Sequence, residues 1–278
     1  MPELPEVETI VQNLSSKIRG AEVSSFRLFF PGLIRNKKKK ILEKLRGRKI
    51  INIRRRGKLI LIDFDNDLTL LVHLKMTGQF VFYPSHESVD KHTHFILSFK
   101  GQKQEVRFRD VRKFGFIQCL LTSEALKLIN LGPEPLEISF SSFQNLFKGR
   151  QACLKSLILN QNFIAGIGNI YANEILFEAK LHPINSVSLL KEEELKRLWK
   201  AMRLVLKRAL KHRGSSIRDF KDAEGRVGSF QNFHQVYGKE SLPCPHCGAR
   251  IERLRIGGRS SFFCPQCQRE KSKILIEP

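Results

Sequence analysis

Apolar positions follow two regimes along this chain. Up to about residue 120 they come in short runs with turn residues between them. Beyond about residue 137 they return every three or four positions. The first stretch is an exception. From Glu6 to Ile18, the residues Val7, Ile10, Val11, Leu14 and Ile18 share one face of a helix that Gly20 ends. Strand-like runs follow at Val23–Phe30, Lys49–Arg55, Lys58–Phe64, Leu68–Leu74, Gln79–Tyr83, His94–Phe99, Glu105–Arg109 and Phe114–Leu120. Their joints are turn-like: Arg56-Gly57, Asp65-Asn66-Asp67 and Lys100-Gly101. Eight short strands with close turns predict a β-sandwich or barrel, interrupted by a helical run over Asn36–Leu45.

After a short helix, Leu131-Gly132-Pro133-Glu134-Pro135-Leu136 reads as a linker. Helical periodicity then takes over in Ser141–Phe147, Leu154–Leu159, Asn169–Phe177 and Lys191–His212. The expected class is α+β: a sheet domain over residues 1–130, a linker at 131–136, a helical domain over 137–228 and a cysteine hairpin over 235–269. Between two of the helices, Gly166 and Gly168 permit a tight turn, and Asn169 is expected to cap the next helix. Helix-start N–H groups there form a ready phosphate site. Ser215–Gly228 is polar, glycine-containing and long enough to be a functional loop.

Charge narrows the function. Lys and Arg number 49 against 27 Asp and Glu, a net +22. Such a balance calls for a polyanionic partner, nucleic acid before anionic membrane. No apolar run reaches membrane-span length, and Glu3, Glu6 and Glu8 stand where a signal peptide would be basic. Cys244-x2-Cys247 and Cys264-x2-Cys267, separated by 16 residues, have the spacing of a closed four-thiolate zinc site, which is structural. His246 reads as a surface residue. Cys119 and Cys153 stand apart, which fits a reducing compartment. Between the two cysteine pairs, a β-hairpin presents Arg259 at its tip, suited to bidentate phosphate contact.

Four further stretches could carry chemistry. Once Met1 is removed, Pro2 offers a secondary amine of low pKa, beside the Glu3 carboxylate. Read alone, Met-Pro-Glu is an ordinary helix lead-in. Arg54-Arg55-Arg56-Gly57-Lys58 is either a solvated basic loop or a way to hold Lys58 near a phosphate. Met76 sits at a turn tip after His73 and could wedge between base pairs. Arg107 to Gly115 mixes cations with aromatics, as backbone contact plus stacking would require.

Together these pieces resemble the formamidopyrimidine-DNA glycosylase family, from Pro2 to about Gln268. The resemblance rests on Pro2-Glu3-Leu4-Pro5-Glu6-Val7-Glu8, Gly57-Lys58, His73 to Gly78, Arg112-Lys113-Phe114-Gly115, Leu131 to Leu136, Gly166 to Glu174, Gln235-Val236-Tyr237-Gly238 and the cysteine hairpin with Gly258-Arg259-Ser260. It implies a β-sandwich, a helix–two-turns–helix domain and a zinc finger binding one structural Zn2+. The implied partner is duplex DNA carrying oxidised bases or abasic sites, bound by a monomer, cytoplasmic and nucleoid-associated in a bacterium. Pro2 would attack C1′ of the damaged nucleotide and Glu3 would serve as acid and base. Lys58 and Arg259 would assist or grip the lesion phosphates. Asn169, His73 and Tyr237 match phosphate contacts. Met76, Arg112 and Phe114 match the residues that fill the gap left by the flipped nucleotide. His92, Arg150 and Lys155 match further DNA-contact regions, and Ser215–Gly228 matches the loop that closes over an oxidised purine. Val111, Thr93 and Gln151 depart from the family's usual proline, acid and base. Two rival readings are the sister branch resembling endonuclease VIII, which prefers oxidised pyrimidines, and a non-catalytic damage-binding protein. The intact Pro2-Glu3 pair and Lys58 speak against the second.

Overall fold

The computed structural model describes residues 1–35, 40–128, 130–217 and 220–271. The chain divides into two compact units. One is Met1–Asn130 with His212–Gln231; the other is Leu131–Lys211 with the chain from Asn232 onward.

In the first unit, helix α1 runs over Leu4–Ile18. It begins ahead of the expected Glu6 because Pro5 sits in its first turn, where a missing N–H costs nothing. Two four-stranded antiparallel sheets follow. One has the order β1 (Val23–Leu28), β6 (Thr93–Phe99), β7 (Gln104–Asp110), β5 (Gly78–Pro84). The other has the order β2 (Ile50–Arg56), β3 (Leu59–Phe64), β4 (Leu68–His73), β8 (Phe116–Leu121). All eight expected strands are present. Alternate residues of both sheets, among them Ile60, Ile62, Leu70, Val72, Phe95, Leu97, Val106 and Phe108, join the apolar face of α1 in one buried cluster. A single cluster shared by two sheets is the sandwich arrangement. Of the helical run expected over Asn36–Leu45, Lys40–Glu43 forms α2, and residues 36–39 lie outside the described part. Helix α3 covers Thr122–Leu128.

The second unit contains α4 (Phe140–Phe147), α5 (Leu154–Leu159), α6 (Asn169–Glu178) and α7 (Glu192–Lys211). Residues Ile170 to Phe177 of α6 are all buried, so this helix is the unit's axis. Leu131–Leu136 does not hang free as a linker would. The Gly132 N–H donates to the Gln161 carbonyl at 2.8 Å, the Ala165 N–H donates to the Pro133 carbonyl at 3.0 Å, and a Cβ on Gly132 would lie 2.4 Å from the backbone of Phe163. The finger hairpin pairs β9 (Glu252–Ile256) with β10 (Arg259–Phe263). Gly257 and Gly258 connect them, both at positive φ, as a two-residue hairpin turn demands.

One boundary differs from the sequence reading. The helical domain was expected to run to residue 228, yet His212–Gln231 packs with the sheets. Ala223 is buried in the sandwich core, the Phe82 N–H donates to its carbonyl at 3.1 Å, and the Ser215 N–H donates to the Glu6 carboxylate at 2.7 Å. Sequence proximity to α7 hides this, because the contacts that fix the segment come from partners about 140 to 210 residues away.

Candidate active site

The expected nucleophile and its neighbouring carboxylate stand at the start of α1. Glu3 is its N-cap and only 3% exposed. Its N–H donates to Glu6 Oε2 at 2.7 Å, while Glu6 Oε1 accepts from Ser215. One buried carboxylate thus ties the Pro2-Glu3 lead-in of α1 to the 212–231 segment. Pro2 itself is buried. The basic turn after β2 is mostly spent on structure. Arg54 pairs with Asp63 at 2.7 Å and Arg55 with Glu8 at 2.9 Å. Lys58 follows Gly57, which takes a positive φ, and is 8% exposed.

His73 ends β4 with a defined tautomer. Its Nδ1 accepts from the Lys75 N–H at 2.9 Å, so Nε2 carries the proton. Burial first, then the charges of Lys75, Lys58 and Arg35, push its pKa down to about 3. A neutral donor at all working pH values suits a phosphate oxygen. His234 behaves alike, lowered to about 4 by burial and then Lys239. Both values lie below those of the unfolded chain. The unfolded state therefore takes up protons that the folded state refuses as pH falls below about 6.5. Thermal melts between pH 7.5 and 4.5 are expected to show a falling midpoint, and His73→Gln should flatten the slope; equal slopes would contradict the assignment.

The residues expected at the flipped-out gap stand on two turns. Met76 is 44% exposed and Phe114 52% exposed. Arg112 lies over the Phe114 ring at 4.6 Å, and its Nη1 approaches Met76 Sδ at 3.1 Å. His92 is half-buried, with its N–H donating to Asp90 Oδ1 at 2.9 Å. Thr93, where an acid is usual, donates its hydroxyl to the same carboxylate at 2.7 Å. Burial acts to raise the Asp90 carboxyl, but Arg109, Thr93 and the His92 N–H hold it well below the usual range. The cation–aromatic reading of Arg107–Gly115 needs correction for two members. Arg107 is 0% exposed, bonded to Glu105 and to the Ser88 and Glu87 carbonyls. Arg109 pairs with Asp90. Arg107 is enclosed, because strand alternation alone cannot show that a loop covers the far side of a sheet, while Arg109 stays partly exposed with its charge spent on that ion pair.

In the second unit, Asn169 is not the cap; Gly168 is. Asn169 instead donates from Nδ2 to the Ser260 carbonyl at 3.1 Å. Lys155, expected at a DNA-contact surface, is 0% exposed. Its ammonium donates to Asn173 Oδ1, the Ser260 carbonyl and Ser261 Oγ at 3.2, 2.9 and 2.6 Å. It is an internal strut under the hairpin that carries Arg259, and Asn173 adds a bond from the Phe262 N–H at 2.7 Å. Arg259 is exposed and has no acidic partner among the described residues. Arg150 is exposed and donates to the Leu146 carbonyl, closing α4. Tyr237 is held by Glu174, whose carboxylate accepts N–H groups from Gln235, Val236 and Tyr237 at 2.8, 3.1 and 2.8 Å. Burial raises the Glu174 carboxyl, and those N–H groups pull the other way.

The four cysteines converge. Their sulfur atoms lie within 4.8 Å of one another, with close pairs at 3.4, 3.5 and 3.9 Å. A tetrahedral zinc at about 2.3 Å from each thiolate places the sulfurs about 3.8 Å apart. The cage fits one structural Zn2+ and leaves no position for substrate. His246 is no ligand; its ring packs on Phe177 at 4.9 Å.

A net charge of +22 and a thiolate finger tipped by arginine define a zinc-finger nucleic-acid-binding protein as the class. Comparison with known proteins is more specific. The family description for the formamidopyrimidine-DNA glycosylase N-terminal domain matches residues 1–117, that for its H2TH domain residues 131–221, and that for the zinc finger found in FPG and IleRS residues 241–269. A formamidopyrimidine-DNA glycosylase of Desulforamulus reducens is 43% identical, over 98% of this chain and 100% of its own. The crystal structure of a Lactococcus lactis FPG mutant with Fapy-dG-containing DNA superposes with a TM-score of 0.91 at 33% identity, over 97% of this chain and 100% of that one. A structure of MutM with carbocyclic 8-oxo-G-containing DNA gives 0.90 at 33%, over 97% and 100%. The chain belongs to the formamidopyrimidine-DNA glycosylase family. Among the described residues no helix is long and apolar enough to cross a membrane.

Proposed function

We infer that this protein is a base-excision repair enzyme that removes oxidised purines, 8-oxoguanine and formamidopyrimidines, from duplex DNA and then cuts the abasic strand. With Met1 removed, the Pro2 nitrogen attacks C1′, the glycosidic bond breaks, and the base leaves with a proton. Glu3 supplies and recovers protons as the sugar ring opens to a Pro2 iminium. The positive nitrogen acidifies the C2′ hydrogens, so β- and then δ-elimination release the strand. Lys58 and Arg259 assist these steps or hold the flanking phosphates. His73, Asn169, Tyr237, His92 and Arg150 contact the backbone, and Met76, Arg112 and Phe114 offset the cost of unstacking. The enzyme works as a monomer in the cytoplasm, associated with the nucleoid.

The observation that carries this reading is the Pro2-Glu3 pair at the buried start of α1, in a chain that matches its relatives along their whole length. Binding alone needs no such amine. The test is borohydride trapping on duplex DNA with one 8-oxoguanine opposite cytosine, with mass spectrometry of the adduct. A covalent complex at Pro2 is expected. Trapping only on an oxidised pyrimidine would assign the sister specificity, and binding without adduct by chain lacking Met1 would sink the enzyme reading.

A further inference from the structure

Asp110 ends β7 and is 0% exposed. Every polar atom it has is engaged. Its N–H donates to the His92 carbonyl at 3.0 Å, and its carbonyl accepts from His94 Nε2 at 2.7 Å. Oδ1 accepts the Thr77 hydroxyl and the Arg112 N–H, the latter at 3.2 Å; Oδ2 accepts the Gly115 N–H at 2.7 Å. Thr77 in turn accepts from the Arg112 N–H at 3.2 Å. These bonds join three turns: 74–78 with Met76, 90–93 with His92, and 110–115 with Arg112 and Phe114.

The surroundings are built for this. The β6–β7 register shifts between Thr93 and Phe95, and such a bulge re-aims the residue inside it, here His94, whose ring lies against the Asp110 carbonyl. A Cβ on Gly115 would sit 3.0 Å from Asp110 Oδ2 and 2.8 Å from the Phe108 ring. Lys75 and Lys113, one in each outer turn, take positive φ values of 53° and 57°, which a lysine does not choose without restraint. The same carboxylate is bonded to both turns, through the Thr77 hydroxyl in one and the Arg112 and Gly115 N–H groups in the other.

We propose that Asp110 is the positioning residue for the base-flipping wedge: it locks Met76, Arg112 and Phe114 into one preassembled insert before DNA arrives. This rests on the function proposed above and extends it, because Asp110 touches no substrate and acts through the residues it holds. A preassembled wedge is needed to extrude a stacked nucleotide. It is not needed at a pre-formed abasic site, where no base has to leave the stack.

The test compares single-turnover excision of 8-oxoguanine from duplex DNA with strand scission at a pre-formed abasic site. Asp110→Asn keeps the shape but sets an NH2 against one of the N–H or O–H donors. Excision is expected to slow by about 10- to 100-fold, the scale of one or two lost hydrogen bonds to a charged acceptor, while abasic scission stays near wild type. Thr77→Val removes one strand of the lock and leaves Asp110 in place, so it reports even if Asp110→Asn folds poorly; the same split, smaller, is expected. Equal excision in wild type and Thr77→Val, or equal losses on both substrates with unchanged thermal unfolding, overturns the proposal. Failure of the parent reading shows in wild type itself, as no adduct on either substrate, and takes this proposal with it.

Discussion

Glu3→Gln is expected to bind lesion-containing duplex as wild type does and to excise the base about 10²- to 10⁴-fold more slowly, the range that a positioned proton donor and acceptor supplies. The side chain is buried at the N-cap of α1, where glutamine has the same length and leaves the Glu3 N–H bond to Glu6 untouched. The loss therefore reads chemistry and not unfolding, and an unchanged melting midpoint is part of the expected result. The companion experiment leaves Met1 in place. An acylated Pro2 has no lone pair to give, so that chain should bind and trap nothing. If Glu3→Gln retained full single-turnover excision, proton transfer would have to be assigned elsewhere, and no other carboxylate follows Pro2 so closely.

Removing the metal is expected to have the second large effect. The finger's buried cluster is small: Phe177, Val236, Cys244, Ile251 and Cys264. Such a core cannot hold a hairpin alone, whereas structural zinc contributes about 10–16 kcal/mol in isolated fingers at neutral pH. Cys247→Ser, or exhaustive chelation, should release one zinc per chain and disorder β9 and β10. Arg259 then loses its rigid perch and duplex binding falls with it. The sandwich, with its own cluster of buried residues, should keep its sheet signal in circular dichroism. Metal analysis with a filter-binding titration checks both halves. Tight duplex binding by zinc-free protein would show that the finger is dispensable.

Much of this was legible in the sequence, for identifiable reasons. Alternation fixes strands wherever one face is buried, and all eight were placed within a few residues. The cysteine spacing needs no tertiary information. Cations were harder. Arg55, Arg107 and Lys155 read as surface charge but are consumed inside, by Glu8, Glu105 and the Ser260 carbonyl respectively, and Arg109 is spent on Asp90 at the surface. A sequence shows that a charge exists and not which partner engages it. Asn169 had the composition of a cap, but its amide turns to a hairpin 91 positions later. Asp110 carries no such mark, because its role is made by three turns of backbone that no local pattern joins. Its one signal is a buried-strand aspartate followed five residues on by glycine.

The 212–231 segment has a consequence for how the protein is made. The ribosome finishes both sheets by residue 121, yet Ala223 is missing from their core and Ser215 from the Glu6 carboxylate until much later. About 90 residues separate Asn130 from Ala223. At about 5–20 residues per second, the nascent sandwich waits roughly 5–20 s with that flank open. During this interval the helical unit's own residues emerge, and the first-born part of the chain is sealed only after most of its successor has left the tunnel. Assembly of the amine-bearing end is in this way timed by translation, and a chain that stalls before residue 215 carries its Pro2-Glu3 pair on an unsealed sandwich.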